Sequence, residues 1–153
     1  MVKRQGDPLP FLFMRLLFLL LLSFPVFAQS LPTVELKAGV HLIRAEVASD
    51  FGSRMTGLMH RPSMPQNAGM LFIFDDKSMH CMWMKNTLIP LSVAFIDDDG
   101  AIVNIADMQP HSEQSHCATQ PVRYALEMNR GWFAARGIKP GSRLGGIPGV
   151  KPK

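Results

Sequence analysis

Two cysteines, one tyrosine and a charged share of only 18% set the limits of this 153-residue chain. It also lacks an internal repeat, a low-complexity tract and, past residue 28, any basic block. Each shortage excludes something. Two cysteines cannot make a disulfide-dense scaffold, so the fold must rest on an apolar core. The longest unbroken apolar run, Leu16 to Leu22, is far shorter than the roughly 20 residues that span a bilayer. Without a basic block nothing tracks a phosphate backbone, which argues against a nucleic-acid partner. No strand–turn–helix elbow presents a serine, so Ser112, Ser115 and His116, although they share one loop, make no nucleophilic triad.

The N-terminus has the layout of an export signal. Lys3, Arg4 and Arg15 precede the apolar run, and Val26-Phe27-Ala28 offers the small residues that signal peptidase accepts. Cleavage is expected after Ala28, giving a periplasmic or secreted product that meets the membrane only through residues 1–28. A retained anchor is the competing reading. Pro8 and Pro10 lie upstream of Met14, so translation from Met14 would make residues 1–13 an extension. Losing residues 1–28 removes Lys3, Arg4, Arg15 and Asp7 and lowers the net charge from +4 to +2.

What remains suffices for one domain. Residues 29–33 read as a linker, 34–147 as a single β-rich domain and 148–153 as a flexible tail. Val40 to Ala48 reads as a strand. Phe51, Met55, Leu58 and Met59 fall on one face of a short helix, with Ser49 or Asp50 as its N-cap. Strands are expected at Met70–Phe74, Met79–Met84, Leu91–Ile96, Ile102–Met108 and Val122–Met128. A helical turn follows at Trp132–Arg136, closed by Gly137, with a last short strand near Ser142–Leu144. Asp97-Asp98-Asp99-Gly100 reads as a hairpin turn, since its spacing lacks the alternating ligands of a calcium loop. The architecture is therefore mainly β, a compact jelly-roll-like sandwich or barrel with one or two short helices.

The apolar stretch from Cys81 to Asp97 is interrupted by Lys85, Asn86 and Thr87. Polar groups set between core segments must be hydrogen-bonded or face a cleft, because leaving one buried and unpaired costs about 1–3 kcal/mol. Around this trio, Arg54 with Gly57-Leu58-Met59 and Arg61, then Gly69-Met70-Leu71-Phe72, Trp83 to Thr87 with Ile89-Pro90-Leu91, and Ala125-Leu126-Glu127 with Gly131 resemble the domain of unknown function 192 family. The resemblance runs from about Thr33 to Leu144. It implies a jelly-roll type β-sandwich, often exported in bacteria, and no established activity, so no catalytic residue can be carried over.

The trio offers a charge, an amide and a hydroxyl to a ligand. Equally, it would serve as a bend whose Asn86 and Thr87 tie off backbone groups before Pro90. Arg54 and Arg61 would complete an anion site, with Glu127 and Trp83 beside it. Alternatively, Arg54 pairs with Glu127 or Asp107 and pins the helix to the sheet. Cys81 and Cys117 are expected to form a disulfide in an oxidising compartment, worth roughly 3–4 kcal/mol by chain entropy. Against that stand a soft-metal site, with His80, His111 and His116 near the thiols, and a nucleophilic Cys81. Neighbouring strand residues point to opposite faces, however, so His80 and Cys81 would not share an ion. Methionines in apolar runs are ordinary core filler. The expectation is thus a non-catalytic module, without metal or cofactor, binding a small polar or anionic ligand or an envelope component. The alternatives are an enzyme using Cys81 or a Lys85/Glu127 pair, and a copper-handling protein.

Overall fold

Gly39, at φ 60°, turns the chain between β1 (Thr33–Ala38) and β2 (His41–Ala48), an antiparallel pair that places Leu36, Ala38, Ile43 and Ala45 inward. The computed structural model describes residues 30–151. The expected signal segment, residues 1–28, lies outside them. Thr33 belongs to β1 rather than ending a linker, and the alternation Val34, Leu36, Ala38 is what makes this strand.

After β2, Asp50 caps α1 (Phe51–Thr56) through a reciprocal pair: its Oδ1 accepts the Ser53 N–H at 2.9 Å, while Ser53 Oγ accepts the Asp50 N–H at 3.3 Å. The helix lasts six residues and stops at Gly57. It does not bury the face its spacing suggests. Phe51 and Met55 are 75% and 50% exposed, and of that set only Leu58, beyond the helix, is fully inside.

β3 (Ala68–Ser78) runs parallel to β2 and antiparallel to β8 (Val122–Asn129). β5 (Leu91–Ile96), buried along its whole length, lies between β6 (Ile102–Met108) and β8. β9 (Leu144–Gly145) adds to the edge at β1. The resulting seven-stranded sheet, ordered β6-β5-β8-β3-β2-β1-β9, curls as a half-barrel. β4 (Cys81–Met82) and β7 (His116–Cys117) pair separately, so the strand expected over Met79–Met84 shrinks to two residues outside the main sheet. A single 3-10 turn at Ala134–Arg136, ended by left-handed Gly137, completes a mainly β domain.

Alternation along the strands gives the sheet two apolar faces. One carries Leu71, Leu126 and Met128 and is covered by Trp132, Phe133 and Ile138. The other carries Met70, Phe72, Val93 and Phe95 and is covered by Leu58, Met84 and Ile89. At the β5–β6 hairpin, Asp97 Oδ1 accepts the N–H groups of Asp99 and Ala101, and Gly100 takes φ 79°. The acidic run is therefore a turn built on its own backbone. Pro148 and Val150, expected in a flexible tail, make defined contacts: the Pro148 carbonyl accepts from the Tyr124 hydroxyl at 3.1 Å, and Val150 packs on the first apolar face.

Candidate functional site

Met84 to Thr87 form a tight turn, with the Thr87 N–H donating to the Met84 carbonyl at 3.1 Å. Met84 is wholly buried and anchors the turn in the second apolar face. Asn86 takes φ 52°, the positive value that the third position of a type II turn demands and that asparagine tolerates in place of glycine. Thr87 is buried, and its hydroxyl donates to the Lys85 carbonyl at 3.1 Å. One member of the trio is thereby spent on the main chain. The side chains of Lys85 and Asn86 are exposed and make no hydrogen bond or ion pair among the described residues. Lys85 Nζ stands 5.3 Å from the ring centre of Trp83, itself 40% exposed.

Two other loops grip this turn. The His60 N–H donates to the Asn86 carbonyl at 2.9 Å, the His111 N–H to the Thr87 carbonyl at 3.1 Å, and the Met84 N–H to the Ser112 carbonyl at 2.9 Å. His60 and His111 have φ 63° and 62°. With Asn86 they are the only non-glycine residues at positive φ among the described residues. Backbone strain outside glycine is thus concentrated where three loops meet, on an exposed rim. No composition cue in the sequence points to His60 or His111. Among the described residues, clefts of 400–460 Å³ lie elsewhere, and those clefts are not lined by Lys85, Asn86 or Thr87.

The two arginines are not brought to this rim as free cations. Arg54 donates through Nη1 to the carbonyls of Ser49 and Ile73, at 2.6 and 3.0 Å, and through Nη2 to Asp75 at 2.7 Å. It pins α1 to the sheet, as in the alternative to an anion site, but its carboxylate is Asp75 rather than Glu127 or Asp107. Arg61 grips Glu46 with both Nη atoms, at 2.6 and 2.7 Å. Those hydrogen bonds pull the Glu46 carboxyl below its usual range and push Arg61 further up.

Glu127 lies directly opposite Met70 on β3 and Val93 on β5, so it shares the second apolar face with both. It is 3% exposed and has no hydrogen bond or ion pair among the described residues. Burial alone raises its pKa to about 8, which keeps it protonated at neutral pH. Two residues on, Asn129 Nδ2 donates to the carbonyls of Met64 and Pro65. The Arg130 N–H reaches the Pro90 carbonyl. Glu127 therefore sits near the strand end where the loops before β3 and β5 converge. No ion pair joins it to Lys85.

Cys81 and Cys117 are directly opposed in the β4–β7 ribbon and form a disulfide, so neither thiol is free. The bridge ties the loop that carries His111 to the segment that carries the trio.

These residues lie within the stretch that a family model matches. The model of the DUF192 family, described as "Uncharacterized ACR", matches residues 33–146. The chain belongs to the DUF192 family. Its fold is similar to a crystal structure described as a putative transcription regulator from Sinorhizobium meliloti 1021. The two are 40% identical over 77% of this chain and 96% of that one, with a TM-score of 0.73. It is also similar to a protein of unknown function from Novosphingobium aromaticivorans DSM 12444. Here identity is 33% over 79% and 89% of the two chains, with a TM-score of 0.70. No curated protein matches the chain.

Proposed function

We propose that this DUF192 protein is an exported, non-catalytic module that binds a small polar or anionic ligand, or an envelope component, at the rim around Lys85 and Asn86. One observation carries the reading: a lysine and an amide stand exposed and unspent on a turn that two neighbouring loops grip through main-chain hydrogen bonds, with positive φ at Asn86, His60 and His111. Trp83 supplies a flat apolar surface beside them. Arg54 and Arg61 act as supports, because their charges are already used by Asp75 and Glu46. The disulfide fits an oxidising compartment and removes the free thiol that the nucleophile and copper readings require.

The label of the Sinorhizobium meliloti relative raises nucleic acid as a partner. Arg54, Arg61, Lys77, Arg123 and Arg130 each lie within ion-pair distance of a carboxylate here, which weakens that reading for this chain.

Native mass spectrometry of the protein taken from its own host tests the proposal. A bound mass is expected on the wild type and not on Lys85→Ala or Trp83→Ala, with thermal midpoints within a few degrees of one another. A midpoint drop of more than about 10 °C for Lys85→Ala, several kcal/mol in a domain of this size, would make the turn structural and the proposal wrong.

A further inference from the structure

The face of the sheet away from that rim carries a second cationic feature. The β1–β2 turn and the segment 136–143 enclose a cleft of about 430 Å³, lined among others by Val40, His41, Arg136 and Arg143. No carboxylate lines it.

Two of these side chains are set by one buried indole. Trp132 is 3% exposed and donates its indole N–H to Asn67 Oδ1 at 3.1 Å. The Arg136 guanidinium stacks 4.3 Å from the ring centre of Trp132, and the His41 ring meets the same indole edge-on at 6.2 Å. Arg136 is further held by the Trp132 carbonyl at 3.1 Å and Asn67 Oδ1 at 3.2 Å, both uncharged acceptors. No carboxylate pairs with it among the described residues. Arg143 is steadied from the other side, donating to the Asp99 main-chain carbonyl at 2.9 Å.

A guanidinium has five N–H donors in a fixed fork, so these contacts leave donors on each arginine for a tetrahedral oxyanion. Val40, 91% exposed, flanks the cleft with apolar surface.

We propose that this cleft binds a phosphate group carried on a partly apolar molecule, with Arg136 and Arg143 as its two forks. The phosphate would come from a soluble organic monoester or from a phospholipid headgroup, and two arms of one experiment separate these sources. Phenyl phosphate is titrated into the intact protein and followed by calorimetry. Separately, the protein is sedimented with phosphatidylglycerol vesicles, using phosphatidylcholine vesicles as control. Saturable binding in either arm, weakened at least about tenfold by Arg143→Gln and by Arg136→Gln but not by Lys77→Ala at a surface lysine outside both sites, supports the site and names its source. Arg143 is exposed, so Arg143→Gln remains informative even if Arg136→Gln unsettles Trp132, and Arg136→Lys keeps the charge there. Absence of binding in both arms, or binding that both arginine variants retain in full, overturns the proposal.

Discussion

His60 donates its main-chain N–H to the carbonyl of Asn86 at 2.9 Å, and both residues hold positive φ. The contact locks the loop after α1 onto the turn that carries Lys85. A β-branched residue at His60 would suffer far more in this backbone region than glycine, since the left-handed conformation costs roughly 1–2 kcal/mol for an ordinary side chain. Urea denaturation should show His60→Val less stable than His60→Gly by about that amount, with the wild type between them. Equal stability of the two variants would mean that the strain is not real.

Glu127 makes a pH prediction of definite sign. Its pKa rises on folding from 4.5 to about 8. Between those values the folded chain keeps a proton that the unfolded chain has released. Stability should therefore fall as pH rises through that window, by at most about 1.4 kcal/mol per pH unit, and level off above it. Glu127→Gln, neutral throughout, should flatten the decline and gain most over the wild type near the top of the window. A parallel pH profile for the two proteins, measured by denaturant midpoint, would contradict a carboxyl held protonated by burial.

Gly69 is needed for close approach rather than for an unusual backbone angle. A Cβ there would collide with Met128 Sδ and lie 2.6 Å from the Glu127 carbonyl oxygen. Gly69→Ala should cost about 1–3 kcal/mol as β3 and β8 are forced apart. An alanine variant with an unchanged melting temperature would show that the two strands are not so tightly apposed.

The Cys81–Cys117 bridge spans a sequence separation of 36. The double variant Cys81→Ala/Cys117→Ala should lose about 3–4 kcal/mol on the chain-entropy estimate. The amide of His111 should exchange faster with solvent, because its loop loses a tether close to the trio. Unchanged protection at His111 would separate the bridge from the rim.

Several elements were plain in the sequence for local reasons. The β5–β6 hairpin follows from the mostly apolar stretch Leu91–Ile96, an acidic turn and Gly100, and the α1 start from a Ser49 or Asp50 cap, of which the structure uses Asp50. β1 was missed because Glu35 and Lys37 dilute a short alternation. The helical periodicity of Phe51 and Met55 was real but misleading, since spacing reveals a face and not whether anything covers it. In the site, the trio was legible as polar residues between apolar flanks. The supports were not. Asp75 for Arg54 and Glu46 for Arg61 are distant pairings that only the sheet register creates, and left-handed histidines leave no compositional trace.

β3 at the middle of the sheet pairs with β2 on one side and with β8 on the other. As the chain emerges from the ribosome, one edge of its central strand stays open until Asn129 has been made. Until then the hairpin of β1 and β2 and the hairpin of β5 and β6 have no strand to join them. A nascent chain of this design remains threadable until late in its own synthesis, and its last third sets the moment of closure.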